Sequence, residues 1–228
     1  MNLPFSILHA TYGRPLKARA ARQRWMDLAK NPDLVEYIFA LNEDDPTLDE
    51  KLYEDAGRLV VGKFQGSAAA WDAAAKISRG RVLIQGQDDV EPPEHWDIKL
   101  FERVKHLNPD SAFFVRVSDG YRQDALCCTA IMSRAYMAHE GQFLCPAYIS
   151  VFSDDEVTYR ALRHARDGTA YIIDARDLVF LHRHHYHDKS IPFDATYARE
   201  NSAHAYAYGL RLFQLRNPRA STDGLKTW

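Results

Sequence analysis

The sequence has few cysteines and no long apolar run. It contains three cysteines in 228 residues, and none of them forms a CxxC spacing. This scarcity argues against a disulfide framework and against a thiolate zinc site, and it favours a reducing environment. No stretch approaches the roughly 20 apolar residues of a membrane helix, and residues 1–9 lack the features of a signal peptide. We therefore expect a cytoplasmic protein without a transmembrane segment.

An excess of one charge is also missing. The 29 basic residues nearly balance the 31 acidic ones, which gives a net charge of −2. No global field is therefore expected to recruit nucleic acid or an anionic membrane. Hydrophobic residues make up 46 % of the sequence, which is enough for one sizeable core. We expect a single domain over residues 1–216, followed by a polar tail over residues 217–228.

Apolar strand-like runs alternate with helical patterns in the first half of the chain. This alternation predicts an α/β protein in which helices flank a mostly parallel sheet. The predicted strands cover residues 5–9, 34–41, 59–61 and 82–84, and the predicted helices cover residues 16–30, 49–56, 68–78 and 95–106. In the second half, the patterns predict paired strands over 112–117 and 125–130, a short helix over 133–139, a helix over 155–166, strands over 171–173 and 178–181, and a long closing helix over 195–215.

Two adjacent carboxylates, Asp88 and Asp89, follow the apolar run Val82–Ile84. Ligands of open α/β sheets collect at the carboxyl ends of strands. Hard divalent cations such as Mg²⁺ or Mn²⁺ take carboxylate oxygens and substrate phosphates as ligands. The pair thus indicates a metal site, and a turn in which one aspartate caps the next segment is the alternative interpretation.

A histidine-rich segment, His182–His187, follows another apolar strand. In extended structure, His182 and His184 would share one face, and His185 and His187 the other. Imidazole ligands suit Mn²⁺ better than Mg²⁺. A zinc site and a solvated polar loop remain open as alternatives.

The run Ser153–Glu156 opens the predicted helix that ends at Arg166. Carboxylates in a first helical turn are favoured by the helix dipole. One of them can equally project into a cleft as a general base. The pattern by itself leaves both interpretations open.

Two predicted loops follow the first two strands, at the edge where parallel sheets commonly bind nucleotides. The loop Thr11–Pro15 offers backbone amides near a helix start together with the guanidinium of Arg14. The loop Asn42–Pro46 offers hydrogen-bond acceptors. The sequence contains neither GxGxxG nor GxxxxGK[ST], which excludes the usual dinucleotide and P-loop motifs.

Taken in chain order, these segments resemble the glycosyltransferases of the GT-A fold, close to the large family-2 type. The matching segments are Ile7–Pro15, Phe39–Asp45, Gly66–Ala74, Leu83–Val90 and Ser153–Arg160, followed by His182. The resemblance covers about residues 3–185. It implies a GT-A domain with a donor half over about residues 1–97, an acceptor half over about residues 98–216 and a C-terminal helical extension.

The resemblance also implies roles for individual residues. The DXD motif of the family falls on Gln87–Asp89, so Asp89 is the implied metal ligand and Asp88 the implied contact to ribose or sugar, with Gln87 in place of the usual first acid. His182 matches the late metal-binding histidine. The residues implied at the donor nucleotide are Thr11, Tyr12, Arg14, Asn42, Asp44, Ser67 and Trp71. Asp154 matches the catalytic base, with Asp155 as the second choice, and Ser153 replaces the glutamate of the family.

The implied reaction moves a hexosyl or pentosyl group from a nucleoside-diphosphate sugar, of UDP type, to an acceptor hydroxyl with inversion. It depends on Mn²⁺ or Mg²⁺. The acceptor is a saccharide, a protein or a hydroxylated DNA base as in phage DNA modification. Five aromatic residues lie in the acceptor half, as candidates for stacking or for the core: Tyr121, Tyr136, Phe143, Tyr148 and Phe152. Six late basic residues are candidates for a phosphate backbone: Arg183, Lys189, Arg211, Arg216, Arg219 and Lys226. A metal-dependent phosphoesterase or nuclease and an inactive nucleotide-binding module are the alternative functions.

Overall fold

A computed structural model describes residues 4–220, without the side chains of residues 54–56. Residues 1–3 and residues 221–228 of the predicted tail lie outside the described part. A seven-stranded sheet, with the strand order β3-β2-β1-β4-β7-β6-β8, forms the centre of the molecule. Its strands are β1 (Phe5–Thr11), β2 (Val35–Asn42), β3 (Arg58–Gly62), β4 (Val82–Gly86), β6 (Phe113–Ser118), β7 (Ile131–Ser133) and β8 (Tyr171–Val179). The α/β prediction with a mostly parallel sheet is confirmed.

Strand direction divides the sheet into two parts. β1 pairs in parallel with β2 and β4, and β2 pairs in parallel with β3. β7 runs antiparallel to both β4 and β6, and β6 pairs in parallel with β8. The parallel strands β1, β2 and β4 therefore end at one edge, where their loops can surround a ligand.

Helices cover the sheet and enclose a hydrophobic core on each side. The helices are α1 (Pro15–Asp27), α2 (Ser67–Ile77), α3 (Trp96–Val104), α4 (Arg134–Glu140), α5 (Ser153–Arg166), α6 (Ala195–Glu200) and α7 (Ala203–Arg216), with short 3₁₀ helices at Pro32–Leu34 and Glu50–Ala56. One core contains Trp25 of α1 and Trp96 of α3, and the other contains Ala74 of α2 and Phe213 of α7. Alternate residues of the central strands face the two cores, which explains their continuous apolar sequences.

A separate two-stranded ribbon lies beside the main sheet. Its strands, β5 (Val90–Glu91) and β9 (Leu181–His182), pair antiparallel with Val90 opposite His182. The ribbon therefore joins the loop after β4 to the segment after β8. This pairing brings together two regions that are more than 90 residues apart in the sequence.

Some predicted elements differ from the structure. The predicted strand over residues 125–130 is irregular, and β7 begins only at Ile131, where it pairs with Val115. The predicted helix over residues 195–215 is two helices, because Ser202 accepts a hydrogen bond from the backbone of Ala205 and so starts α7 as a new helix. The strands predicted over residues 171–173 and 178–181 also differ, because the structure has one continuous strand, β8, over Tyr171–Val179.

The three cysteines, Cys127, Cys128 and Cys145, are free thiols. Within residues 4–220, no helix combines the length and the apolar character that crossing a bilayer requires.

Candidate functional site

A cavity of about 700 Å³ opens at the carboxyl ends of β1, β2 and β4. Every site residue that the sequence predicts lines this cavity except Asp155, which is the neighbour of a lining residue. The predicted residues in its wall are Thr11, Tyr12, Arg14, Asn42, Asp44, Ser67, Trp71, Asp88, Asp89, Asp154 and His182. Segments that are far apart in the sequence therefore meet at one site.

The carboxylate of Asp88 is anchored by residues at the end of β1. Its Oδ1 lies 2.9 Å from Nε2 of His9, and its Oδ2 accepts a hydrogen bond from Oγ1 of Thr11 at 3.2 Å. Arg14 adds an ion pair at 3.8 Å. Because both oxygens have protein partners, the side chain of Asp88 is fixed at the strand end and is only 7 % exposed.

Asp89 and His182 meet across the β5–β9 ribbon. The backbone amide of Arg183 donates to the carbonyl of Asp89 at 2.7 Å, and Nε2 of His182 lies 3.5 Å from Oδ1 of Asp89. Burial alone would raise the pKa of Asp89, but its contacts with His182 and Tyr197 hold the pKa well below its usual value. Burial alone would lower the pKa of His182, but the carboxylate of Asp89 raises it. The two groups therefore lie side by side at the cavity wall, and each side chain is partly buried.

This pair suits a divalent cation by its chemistry. A carboxylate oxygen and an imidazole nitrogen are ligands that Mn²⁺ accepts, and atoms 3.5 Å apart can both lie about 2.1 Å from one ion. Among the described residues, no group of three or more His, Cys, Asp or Glu side chains is arranged to hold a metal ion. Mg²⁺ and similar ions commonly use one or two protein ligands and complete their shell with substrate phosphates and water. The residues therefore fit an ion that binds together with a phosphate group.

The carboxyls of Asp154 and Asp155 form a hydrogen-bonded pair in the first turn of α5. Burial raises the pKa of both groups. The charge of Asp154 and the hydrogen bond between the two carboxyls raise the pKa of Asp155 further, to about 7. Asp155 therefore retains its proton up to about neutral pH. Arg122 lowers the pKa of both groups by its charge, but its guanidinium already pairs with Asp124 at 2.6 Å.

The histidine segment turns after β9 instead of continuing as a strand. His182 and His184 both line the cavity, with their ring centres 5.1 Å apart, as expected for one face. His187 lines the cavity as well, although the extended pattern places it on the other face. Nδ1 of His185 instead lies 2.5 Å from the carbonyl of Ile191. Burial and the charge of His182 lower the pKa of His184 to about 4, so its imidazole is neutral at pH 7.

The loops predicted for the nucleotide base occupy the cavity edge near β2. The amide of Asn42 donates to the carbonyl of Phe64 at 2.7 Å and accepts from its amide at 3.2 Å, so this side chain holds the backbone in place. Asp44 is exposed, and its carbonyl accepts a hydrogen bond from the Tyr12 hydroxyl at 3.3 Å. The guanidinium of Arg199 lies 3.6 Å from the centre of the Tyr12 ring. The side chain of Asn42 is thus held by the backbone of Phe64, and the Tyr12 ring is in contact with Arg199.

Ser67 and Trp71 hold the α2 side of the cavity together. The hydroxyl of Ser67 donates to the carbonyl of Ile149 at 3.2 Å. The preceding Gly66 approaches this backbone so closely that a Cβ atom would lie 2.0 Å from the same carbonyl oxygen. Nε1 of Trp71 donates to the carbonyl of Gly86 at 2.9 Å. Both predicted site residues therefore shape the wall by contacts with the backbone.

Helix α6 contributes cavity residues that the sequence reasoning missed. Thr196, Tyr197, Arg199 and Glu200 all line the cavity. Oγ1 of Thr196 donates to the carbonyl of Tyr12 at 2.9 Å. These residues lie in a segment that the sequence pattern assigns to a uniform closing helix. The serine at 202, a helix-capping residue, was the available signal for a separate short helix.

Most of the predicted acceptor-side aromatic residues belong to the core. Tyr136, Phe143, Tyr148 and Phe152 are at most 6 % exposed, whereas Tyr121 is 40 % exposed. The four buried side chains are therefore excluded as a stacking surface. Tyr121 stacks on His187 with ring centres 4.3 Å apart, and His187 lines the cavity.

Comparison with known proteins gives structural relatives only. No protein-family model matches the sequence, and no curated protein matches it. TarS of S. aureus has a similar structure, with a TM-score of 0.62 and 14 % identity, over 97 % of this chain and 44 % of that chain. This chain thus spans less than half the length of the TarS chain.

Two ligand complexes show the same similarity. TarS 1–349 in complex with UDP-GlcNAc has a TM-score of 0.59 at 12 % identity, covering 97 % of this chain and 74 % of that one. The mannosyltransferase PcManGT from Pyrobaculum calidifontis, in complex with GDP-Man and Mn²⁺, has a TM-score of 0.56 at 14 % identity, covering 96 % and 76 %. The chain therefore has the GT-A-like fold of glycosyltransferases, as the sequence resemblance implied. At these identities the comparison concerns the fold.

Proposed function

We propose that this chain is a glycosyltransferase that moves a sugar from a nucleoside-diphosphate donor to an acceptor hydroxyl. The observation that supports it most is the meeting of Asp89, His182 and Asp154 in the wall of one cavity, at the carboxyl end of a GT-A-like sheet. A carboxylate–imidazole pair that can hold a cation and a proton-accepting carboxylate are the groups that such a transfer uses. TarS 1–349 is in complex with UDP-GlcNAc, and PcManGT is in complex with GDP-Man and Mn²⁺. These complexes support a nucleotide sugar as the donor.

The diphosphate of the donor is assigned to the wall that contains Asp89 and His182. These two residues would hold a Mn²⁺ or Mg²⁺ ion, which, when bound, neutralises charge on the departing diphosphate. Arg14 and Arg199 line the same cavity, and each already pairs with a carboxylate, Asp194 and Glu200 respectively. Tyr12 and Asp44 face the base, and a UDP-type donor is the proposed one. A hexosyl or a pentosyl group is compatible with this arrangement.

Asp154 is the proposed general base. The acceptor oxygen attacks the anomeric carbon of the donor, the bond from that carbon to the diphosphate oxygen breaks, and the acceptor proton passes to Asp154. A base of this kind is most effective when its pKa lies near the working pH. Burial raises the pKa of Asp154 toward this range. One displacement of this kind inverts the anomeric configuration.

The acceptor is proposed to be a neutral saccharide hydroxyl. Basic residues near the cavity already have carboxylate partners: Arg183 pairs with Glu91 at 2.8 Å, and Arg122 with Asp124. Arg216 likewise pairs with the buried Glu156 at 3.0 Å. Paired cations give little attraction for a phosphate backbone, because counterion release depends on free charges. Hydroxylated DNA is therefore the second choice, and Lys226 from the predicted basic set lies outside the described residues.

Release of nucleoside diphosphate tests the proposal directly. The full chain is incubated with UDP-GlcNAc, UDP-glucose or GDP-mannose and Mn²⁺, with and without a panel of free saccharides. Release that increases with one saccharide identifies a glycosyltransferase, and retention of donor in every mixture contradicts it. Bis-p-nitrophenyl phosphate serves as the comparison substrate, since its hydrolysis without donor turnover would identify the phosphoesterase alternative. Nucleotide binding without turnover of either substrate would identify the inactive module.

A further inference from the structure

The hydroxyl of Tyr197 holds the carboxylate that the proposed function assigns to the metal. It donates to Oδ2 of Asp89 at 2.7 Å, while His182 lies beside the other oxygen, Oδ1, at 3.5 Å. The Tyr197 side chain is buried, with 5 % exposure, and lies 108 positions from Asp89 in the sequence. The carboxylate is therefore held from both ends by residues that its own loop does not supply.

Tyr197 is itself fixed by a cluster around Arg14. The guanidinium of Arg14 donates two hydrogen bonds to Asp194, at 2.9 and 2.5 Å, and Asp194 accepts from the backbone amide of Tyr197 at 3.1 Å as the cap of α6. The same guanidinium lies 4.2 Å from the centre of the Tyr197 ring. Capping, ion pairing and the cation–π contact thus all act on the position of one ring. The ring has little freedom to move away from Asp89.

We propose that Tyr197 is a positioning residue of the donor site, which orients Asp89 so that Oδ1 faces His182 and the cavity. This inference rests on the proposed function, because it assumes that Asp89 binds the divalent ion. A hydroxyl that occupies Oδ2 leaves Oδ1 for the ion and prevents rotation of the carboxylate. Removing a group that hydrogen-bonds to a metal ligand on the side away from the metal typically lowers metal affinity by about 10- to 100-fold.

A conservative pair of variants separates this role from general stability. Tyr197→Phe removes the hydroxyl and keeps the ring under Arg14. Tyr208→Phe is the matched control, because the Tyr208 hydroxyl also belongs to a C-terminal helix and makes one hydrogen bond, to the carbonyl of Ala147 at 3.2 Å. Tyr208 does not line the cavity. Mn²⁺ affinity is measured on the full chain by electron paramagnetic resonance, with and without UDP, and thermal unfolding checks the fold of each variant.

The expected result is Mn²⁺ binding at least about 10-fold weaker in Tyr197→Phe than in the wild type, with Tyr208→Phe unchanged. Equal Mn²⁺ affinity in Tyr197→Phe and the wild type would overturn the positioning role while leaving the metal site intact. Tighter binding in Tyr197→Phe would also overturn it, because the hydroxyl would then compete with the ion. Absence of Mn²⁺ binding by the wild type would instead remove the metal assignment itself, and this inference with it.

Discussion

Of the three pairs of adjacent aspartates in the sequence, Asp88–Asp89 and Asp154–Asp155 have different surroundings, which shift the pKa of Asp89 in one direction and those of Asp154 and Asp155 in the other. The first pair, Asp88 and Asp89, has partners on its oxygens, and the contacts with Asp89 hold the pKa of that carboxyl low. The second pair, Asp154 and Asp155, is shielded from solvent beside Arg122, which already pairs with Asp124, so the pKa of each carboxyl is raised.

The contrast is consistent with the two different roles proposed for these residues. A carboxylate whose pKa is held low is an anion at every working pH, which suits a cation ligand. A carboxyl whose pKa lies near neutrality exchanges protons readily, which suits a general base. Environments that separate the pKa values of acidic groups commonly mark such a division of roles. Each of the following variants tests one side of this contrast.

The largest expected effect belongs to Asp154. Asp154→Asn removes the proton acceptor but keeps the size and most hydrogen bonds of the side chain. We expect sugar transfer to fall by about 10²- to 10⁴-fold, while UDP and Mn²⁺ still bind. Rates are compared with those of Asp167→Asn, a variant of an exposed carboxylate at the other end of α5. Transfer by Asp154→Asn at the wild-type rate would shift the base assignment to Asp155.

The next effect concerns Asp89 in the other pair. Asp89→Ala removes the carboxylate that faces His182, so Mn²⁺-dependent affinity for UDP is expected to fall by about 100-fold. Glu91→Gln in the same ribbon is the control, because the Glu91 carboxylate pairs with Arg183 away from His182. Calorimetry measures both variants with and without Mn²⁺. If Asp89→Ala has unchanged Mn²⁺-dependent affinity for UDP, Asp89 is not a ligand of the ion. Its low pKa then reflects only its contacts within the protein.

A smaller effect is expected in the pH dependence of transfer. When Asp155 loses its proton, near pH 7, it stops donating a hydrogen bond to Asp154 and makes that carboxylate more basic. The wild-type rate should therefore rise severalfold through about pH 7. Asp155→Asn keeps a hydrogen-bond donor at every pH, so this rise should disappear. If the transfer rate of Asp155→Asn still rises near pH 7, the group that titrates there is a residue other than Asp155.

The smallest effect concerns stability. The unfolded Asp155 ionises near pH 3.8, whereas the folded one keeps its proton to about pH 7. The folded state thus binds more protons between these values, so wild-type stability falls as pH rises through this window. Asp155→Asn lacks this loss and should unfold about 2–4 °C higher at pH 8, with no advantage below pH 4. Scanning calorimetry at both pH values gives the comparison, and an equal advantage at both would point to an effect other than ionisation.

The sequence predicts the part of the molecule that local patterns control. The runs at Phe5–Thr11 and Val82–Gly86 read as strands because both faces of these central strands are buried. The acidic loop after Gly86 lies at the edge of the sheet, as predicted, because it directly follows the strand Val82–Gly86. Because strand ends of a parallel sheet converge, Thr11 and Asp88 are expected in one region, and both line one cavity. Asp154, which only the family resemblance assigns to the site, lines the same cavity.

The parts that the sequence did not predict depend on long-range pairing. β7 begins at Ile131 because Ile131–Ser133 pairs with β4, and no local pattern distinguishes this strand from the residues before it. Tyr197 reaches Asp89 only because α6 is separated from α7 and anchored to Arg14, 180 positions away from Asp194. The local sequence of neither strand indicates the pairing of Val90 with His182. Contacts of this kind follow from tertiary structure and leave no periodic signal.

The central claim is that one cavity binds a nucleoside diphosphate through an ion held by Asp89 and His182. Calorimetric titration of the wild-type chain with UDP and with GDP, in the presence of Mn²⁺ and then of EDTA, tests it most directly. We expect one nucleotide to bind with 1:1 stoichiometry, with an affinity at least about 10-fold higher with Mn²⁺ than with EDTA. Failure of both nucleotides to bind, or equal affinity with Mn²⁺ and EDTA, would contradict the claim.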